Sequence, residues 1–182
     1  MLSEKTESIG KGYTQVYTGN CKGKTTATLG LAFRAMGHGL KTYIGQFMKS
    51  QPYGEVRSAE MVAPFITIEQ YGKNGLIHVK PEPAEEDVDA AESGLERARR
   101  QLLSGDYNIV VFDEIFTACY FRLISVRDIL ALMADRPPGV ELILTGRYAP
   151  KVVIEAADLV TEMRELKHYY QRGVAARTGI EY

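Results

Sequence analysis

One octet near the amino terminus, Gly19-Asn20-Cys21-Lys22-Gly23-Lys24-Thr25-Thr26, constrains this chain more than any other stretch. It lies between residues 13–17, which read as a strand, and TATLGLAFRAMGHG, which reads as a helix. In that helix Leu29, Ala32, Phe33 and Met36 recur at helical spacing, and Gly37 and Gly39 stop it. A glycine-bearing turn between strand and helix is the setting of a phosphate loop. Backbone N–H groups of the loop and of the helix N-terminus converge there on anionic oxygens. Gly23 lets the backbone approach closely. Lys24 supplies a charge for the phosphate tail, and the Thr25 hydroxyl suits Mg²⁺. The common pattern has four residues between Gly and Gly-Lys. Here three separate Gly19 from Gly23, so the loop is one residue short. The alternative is a glycine-rich turn without a ligand, but position, lysine and paired threonines together favour a phosphate site.

The rest of the chain alternates strands and helices. Residues 41–48 and 65–71 read as strands, with turn chemistry at 51–54 and a loop at 71–75. Pro81 and Pro83 lead into a helix at 84–103, whose Val88, Ala91, Leu95, Ala98 and Leu102 form one apolar stripe. Its acids come early and its bases late, complementing the helix dipole. Residues 109–112 are a continuous apolar run ending in Asp113-Glu114, as in a parallel strand buried on both faces. Ser125 and Asp128 have the spacing of a capping box for a helix reaching Ala134, which Pro137 and Pro138 close. Residues 140–144 form another buried strand, ending in Thr145-Gly146-Arg147. A short helix at 150–156, a strand at 159–163 and an irregular tail from Lys167 complete the chain. The expected fold class is α/β, P-loop NTPase-like (RecA-like), with a mostly parallel sheet covered by helices on both faces.

At 182 residues the chain suits one domain, expected over residues 13–182 behind a flexible polar arm at 1–12. A formal net charge of −1 argues against a nucleic-acid partner. Cys21 and Cys119 are far apart and lack metal-type spacing, which implies neither a disulfide framework nor a zinc site. The first residues have no apolar core of a secretory signal, and no run approaches a membrane span, so the expected location is the cytoplasm, with no membrane partner. Asp113-Glu114 and Arg147 follow predicted strands, at the edge where open α/β sheets bind ligands. A carboxylate there can hold Mg²⁺ and Arg147 can clamp an anion; solvated acids and an exposed turn arginine are the alternatives. His38, His78 and His168 stand without obvious company. Cys21 is read as passive, because the loop works through its backbone. The residues alone thus give a Mg-nucleotide site without identifying the acceptor. A phosphoryl-transfer enzyme such as a small kinase or NTPase and a nucleotide-gated binding module both remain open.

TGNCKGKTT, FRAMGHGLKT, GQFMK, VVFDEI, LTGR, ADLVTEM, LKH and GVAARTGIEY together resemble the P-loop type of ATP:corrinoid adenosyltransferase, from about Tyr13 to Tyr182. The resemblance implies transfer of the 5′-deoxyadenosyl group of ATP to the cobalt of a cob(I) corrinoid, with release of triphosphate, in adenosylcobalamin biosynthesis or corrinoid salvage. It implies cobalamin, cobinamide or cobyrinic acid diamide as the corrinoid. It also implies an electron-donating reductase such as a flavoprotein, Mg²⁺ as cofactor, and a homodimer. By the same resemblance, residues Gly19, Asn20, Cys21, Lys22, Gly23, Lys24, Thr25 and Thr26 cradle ATP, with Arg34 near the nucleoside. Lys24 and Glu114 are the catalytic residues, and Thr25 and Glu114 hold Mg²⁺. Tyr71, Gly72, Lys73, Leu76 and Arg147 are the corrinoid-side candidates. There are two departures. Cys21 replaces the middle glycine of the family loop, which questions the local backbone because cysteine tolerates positive φ poorly. The stretch from Gly72 to Leu76 also lacks the Phe and Trp with which well-known bacterial members displace cobalt's lower ligand. Either Tyr71 or Leu76 substitutes, or the ligand leaves by another route.

Overall fold

A computed structural model describes residues 8–51, 53–72 and 83–182. Six parallel strands form one sheet in the order β3-β2-β4-β5-β1-β6. They are β1 (Thr14–Thr18), β2 (Thr42–Gln46), β3 (Ile66–Gln70), β4 (Ile109–Asp113), β5 (Glu141–Thr145) and β6 (Leu159–Glu162). The helices are α1 (Lys24–Met36), α2 (Gly54–Met61), α3 (Glu85–Leu103), α4 (Ile115–Tyr120), α5 (Val126–Asp135) and α6 (Lys151–Ala156), and a 3₁₀ turn spans Tyr169–Arg172. Helices α2 and α4 were not foreseen from the sequence. Each is short, and neither carries an apolar stripe long enough to declare a helical period.

The central strands are apolar on both faces because helices cover both. Along β4, Val110 and Phe112 enter one core while Ile109 and Val111 enter the other; Leu142 and Leu144 of β5 likewise oppose Ile143. Each of these side chains contributes about 1.5–3 kcal/mol by leaving water. Helix α1 corrects one sequence expectation. Its buried stripe is Lys24, Thr28, Ala32 and Ala35, whereas Phe33 is 67% exposed. Small residues on the inner face let the helix lie close to the sheet, and its larger apolar residues turn elsewhere.

Helix α3 buries Ala91, Gly94, Ala98 and Leu102, with Val88 and Leu95 packed beside them. Gly94 is required by close approach: a Cβ there would lie 2.6 Å from Cβ and Cγ of Tyr71. Gly94→Ala is therefore expected to destabilise the protein by about 1–3 kcal/mol through overpacking, although alanine is the better helix former. Denaturant unfolding checks this, and equal or greater stability would refute the contact. Ser125 and Asp128 form the full reciprocal capping box expected at the start of α5. Gly12 N–H donates to Pro138 O at 2.7 Å, and Ile9 packs on the α1 side of the sheet.

The register brings the chemistry to one edge. Phe112 pairs with Leu144 and Thr145 with Tyr17, so Asp113, Thr145 and the end of β1 stand level at the carboxyl side of the sheet.

Candidate active site

The loop after β1 wraps around the ammonium of its own lysine. Lys24 is 5% exposed, and its Nζ donates to Gly19 O at 2.8 Å and Cys21 O at 2.9 Å. Burial pushes the Lys24 pKa below its ordinary value, against the opposing pull of Glu114. Gly19 has φ 102°, and a Cβ there would fall 2.3 Å from Met163 O, so only glycine fits. The Cys21 N–H donates to Met163 O at 3.2 Å. Cys21 is absent from the residues of positive φ, so cysteine is accommodated where the family loop has glycine. The strain foreseen for it does not arise.

The carboxylate against Thr25 belongs to Asp113. Thr25 Oγ1 lies 3.0 and 3.1 Å from the two Asp113 oxygens. Asp113 is fully buried and also accepts from Thr145 Oγ1 at 2.7 Å, Lys49 Nζ at 3.0 Å and Gln46 Nε2 at 3.3 Å. Glu114 takes a left-handed turn, φ 62°, at the start of α4. Its backbone N–H donates to Thr145 Oγ1 at 3.0 Å, and its carboxylate accepts from the Thr117 hydroxyl. Glu114 lines the same cleft as Thr25. Burial opposes the charge on Lys49, but Asp113, Glu55 and Glu114 outweigh burial and raise its pKa.

The cleft has a volume of about 930 Å³. Residues 21–26 form its floor, and Lys49, Glu114 and Arg147 add charge. Leu29, Phe33, Met61, Val62 and Ile68 make an apolar wall. The far side is the chain's own tail. Lys22 Nζ donates to Ile180 O at 2.7 Å and to Glu181 Oε1 at 2.9 Å. Glu181 also binds Tyr169 and Arg177, and these partners hold its carboxyl well below the usual range. The stretch read as an irregular tail is thus a fixed wall of the cleft.

Among the residues singled out from sequence, Gly23, Lys24, Thr25, Thr26, Cys21, Lys22, Glu114 and Arg147 meet around the cleft. Arg34 does not join them. It is exposed in the last turn of α1, ten positions and so about 15 Å along the helix from Lys24. Tyr71 is a core residue. Its ring packs on Phe47 at 5.3 Å and against Gly94, and its hydroxyl binds Tyr43 and Glu69. Gly72 N–H donates to Lys49 O at 2.9 Å, behind the site. Lys73 and Leu76 lie outside the described residues. Sequence reasoning gave no role in the site to Lys49, Glu55, the Thr145 hydroxyl or the tail. The crevice rule for strand ends would have found Lys49 and Thr145, since both sit at carboxyl ends of central strands.

Oxygen donors surround the Thr25 position, which is the chemistry Mg²⁺ requires. No three His, Cys, Asp or Glu side chains among the described residues are grouped to hold a metal by themselves. No helix among the described residues is long and apolar enough to cross a membrane.

A family model described as ATP:corrinoid adenosyltransferase BtuR/CobO/CobP matches residues 10–182. The corrinoid adenosyltransferase of Escherichia coli K12 is 33% identical over 173 residues, covering 94% of this chain and 86% of that protein. That of Pseudomonas aeruginosa is 31% identical over 173 residues, covering 94% and 84%. The corrinoid adenosyltransferase CobA of Salmonella typhimurium is 32% identical over 173 residues, covering 94% and 86%. Among solved structures, the KaiC-like protein PH0186 of Pyrococcus horikoshii superposes with a TM-score of 0.55 at 16% identity, over 86% of this chain and 75% of that one. The flagellar accessory protein FlaH of Methanocaldococcus jannaschii gives 0.55 at 13% identity, over 85% and 72%. These two likenesses speak to the RecA-like P-loop fold alone.

Proposed function

Because this chain belongs to the ATP:corrinoid adenosyltransferase family, we propose that the cleft above the 19–26 loop is where it joins ATP to a corrinoid. The protein is a corrinoid adenosyltransferase. It transfers the 5′-deoxyadenosyl group of ATP to the cobalt of a cob(I) corrinoid and releases triphosphate. The observation that carries the site assignment is the meeting of two surfaces in one cleft. An anion-binding loop with a buried lysine shares the cleft with an apolar wall of Leu29, Phe33, Met61, Val62 and Ile68.

In the reaction the cobalt electron pair forms a bond to C5′, the C5′–O5′ bond breaks, and triphosphate leaves with that bonding pair. No proton needs to move, and the carboxylates fit this. Asp113 is saturated by donors and Glu114 is held by Thr117, so neither is poised as a base. The protein's work is to hold C5′ in line with cobalt and to stabilise the leaving triphosphate. Loop N–H groups and Lys24 grip the phosphates, and Arg147 adds charge from the β5 edge. Thr25, with Asp113 behind it and Glu114 beside it, would hold Mg²⁺. Bound there, the metal would neutralise part of the triphosphate charge. A cytoplasmic homodimer receiving electrons from a reductase such as a flavoprotein completes the reading.

Product analysis tests it. The protein is incubated anaerobically with ATP, Mg²⁺ and chemically reduced cob(I)alamin. A light-sensitive adenosylated corrinoid and triphosphate are expected in equal amounts. ADP and phosphate with an unchanged cobalt spectrum would overturn the reading in favour of phosphoryl transfer.

A further inference from the structure

Lys49 sits where a metal ion would have to sit. Its Nζ is 3.0 Å from Asp113 Oδ2, 3.4 Å from Thr25 Oγ1 and 3.4 Å from Glu55 Oε1. Two of those oxygens are the ones a P-loop cation uses, directly or through water. The lysine is not there by accident of a flexible side chain. Its backbone is pinned on both sides: Phe47 N–H donates to Asp113 O at 2.9 Å, and Gly72 N–H donates to Lys49 O at 2.9 Å. Met48 takes φ 60°, an uncommon conformation for a residue with a side chain, and so turns Lys49 back over the end of β4. The side chain is only 15% exposed and passes over the Tyr53 ring at 5.3 Å.

We infer that Lys49 is the resident cation of the metal position, a positioning residue that holds Thr25 against Asp113 and admits a divalent cation only together with the nucleotide's phosphates. This rests on the assignment of Mg²⁺ to Thr25 and Asp113. Two cations cannot share those oxygens at a few ångströms in a buried site, because they repel and compete for the same lone pairs. Without nucleotide, a metal entering there displaces the ammonium from Asp113 and leaves it Glu55 as its carboxylate partner. With the triphosphate in the cleft, the ammonium gains phosphate oxygens as it leaves Asp113, so metal and nucleotide bind with positive coupling.

The test measures Mn²⁺ binding to the full chain without nucleotide, from the loss of the free Mn²⁺ resonance in electron paramagnetic spectra. Lys49→Gln keeps hydrogen-bonding capacity toward Asp113 without the charge, and Lys49→Met removes both. Each is expected to bind Mn²⁺ at least about tenfold more tightly than wild type, within the usual range of such couplings. Lys49→Arg retains the cation and is expected to match wild type. Thermal unfolding confirms that each variant is folded; if the methionine variant is not, the glutamine variant decides. Equal binding by wild type and the folded charge-free variants overturns the inference. Adding Asp113→Asn to Lys49→Gln must abolish the gained site, and persistence of that site also overturns it. The metal assignment is judged separately, by whether Thr25→Ala weakens MnATP binding in the wild-type background.

Discussion

Exchanging Lys24 for methionine is expected to lower kcat for corrinoid adenosylation by roughly two to three orders of magnitude, the range seen when a preorganised group facing transition-state charge is removed. The reason lies in where the charge is kept. Lys24 is buried, and among the described residues no carboxylate forms an ion pair with it; its hydrogen-bond acceptors are the Gly19 and Cys21 carbonyls. Burial already works against its protonated form. An ammonium held by dipoles inside an anion loop gains most when full negative charge arrives. In this reaction the charge grows as the C5′–O5′ bond breaks and the triphosphate departs. Methionine fills much of the same volume, and the two carbonyls lose one donor each, costing about 0.5–1.5 kcal/mol per bond. The fold should therefore survive, with a thermal transition lowered by a few degrees. Steady-state kinetics under anaerobic conditions, with KM for ATP measured separately from kcat, checks the expectation. A kcat within about threefold of wild type would mean that the lysine binds ground and transition states alike or not at all.

Asp113→Asn should be the most damaging single exchange at the strand ends, because it strikes both stability and turnover. Asp113 is fully buried and meets Thr25, Thr145, Lys49 and Gln46. Removing its charge leaves Lys49, 15% exposed, with Glu55 alone. Breaking one partner of a buried ion pair costs about 3–5 kcal/mol, and the remaining Glu55 contact places this case toward the lower end. The amide also turns a donor toward groups that are themselves donors. Turnover should fall at least about a hundredfold, with a higher Mg²⁺ requirement. Glu114→Gln is the informative contrast. Glu114 is half-buried, and its carboxylate takes one side-chain hydrogen bond, from Thr117, so stability should change little. Any loss of turnover there reports on the reaction alone. Thermal denaturation beside a Mg²⁺ titration of the rate separates the two variants. If Asp113→Asn melts like wild type, the hydrogen-bond network drawn around it is wrong.

The placement of these groups was partly legible in the chain. The strand–loop–helix order around residues 19–26 requires only local chemistry: a glycine that accepts positive φ, a lysine and a threonine at fixed spacing, and a helix start. The strands read at 109–112 and 140–144 announced themselves as continuous apolar runs, and with them the parallel sheet. Once the sheet is parallel, Asp113-Glu114 and Thr145-Gly146-Arg147 must come to the same edge as the loop. The capping box at Ser125 was readable for the same reason: both partners lie within one turn.

What the sequence could not decide depends on contacts between distant residues. Choosing Asp113 over Glu114 as the neighbour of Thr25 needed the strand register and the left-handed turn at Glu114, neither of which has a local signature. Tyr71 reads as a corrinoid-side candidate where a strand passes into a loop, whereas in the fold Gly94 of α3 leaves room for its ring in the core. Arg34 stands outside the lining of the cleft although its neighbour Phe33 lies within it, a difference set by which way each side chain of α1 turns. Lys49 meets Asp113 at a separation of 64, and Lys22 meets Glu181 at a separation of 159. Local chemistry thus determined where in this chain a loop suited to phosphates stands. Only tertiary packing decided which carboxylate stands behind the threonine, which lysine stands in for the metal, and that the tail closes the cleft, because charges far apart in sequence become neighbours only when the sheet brings its strand ends together.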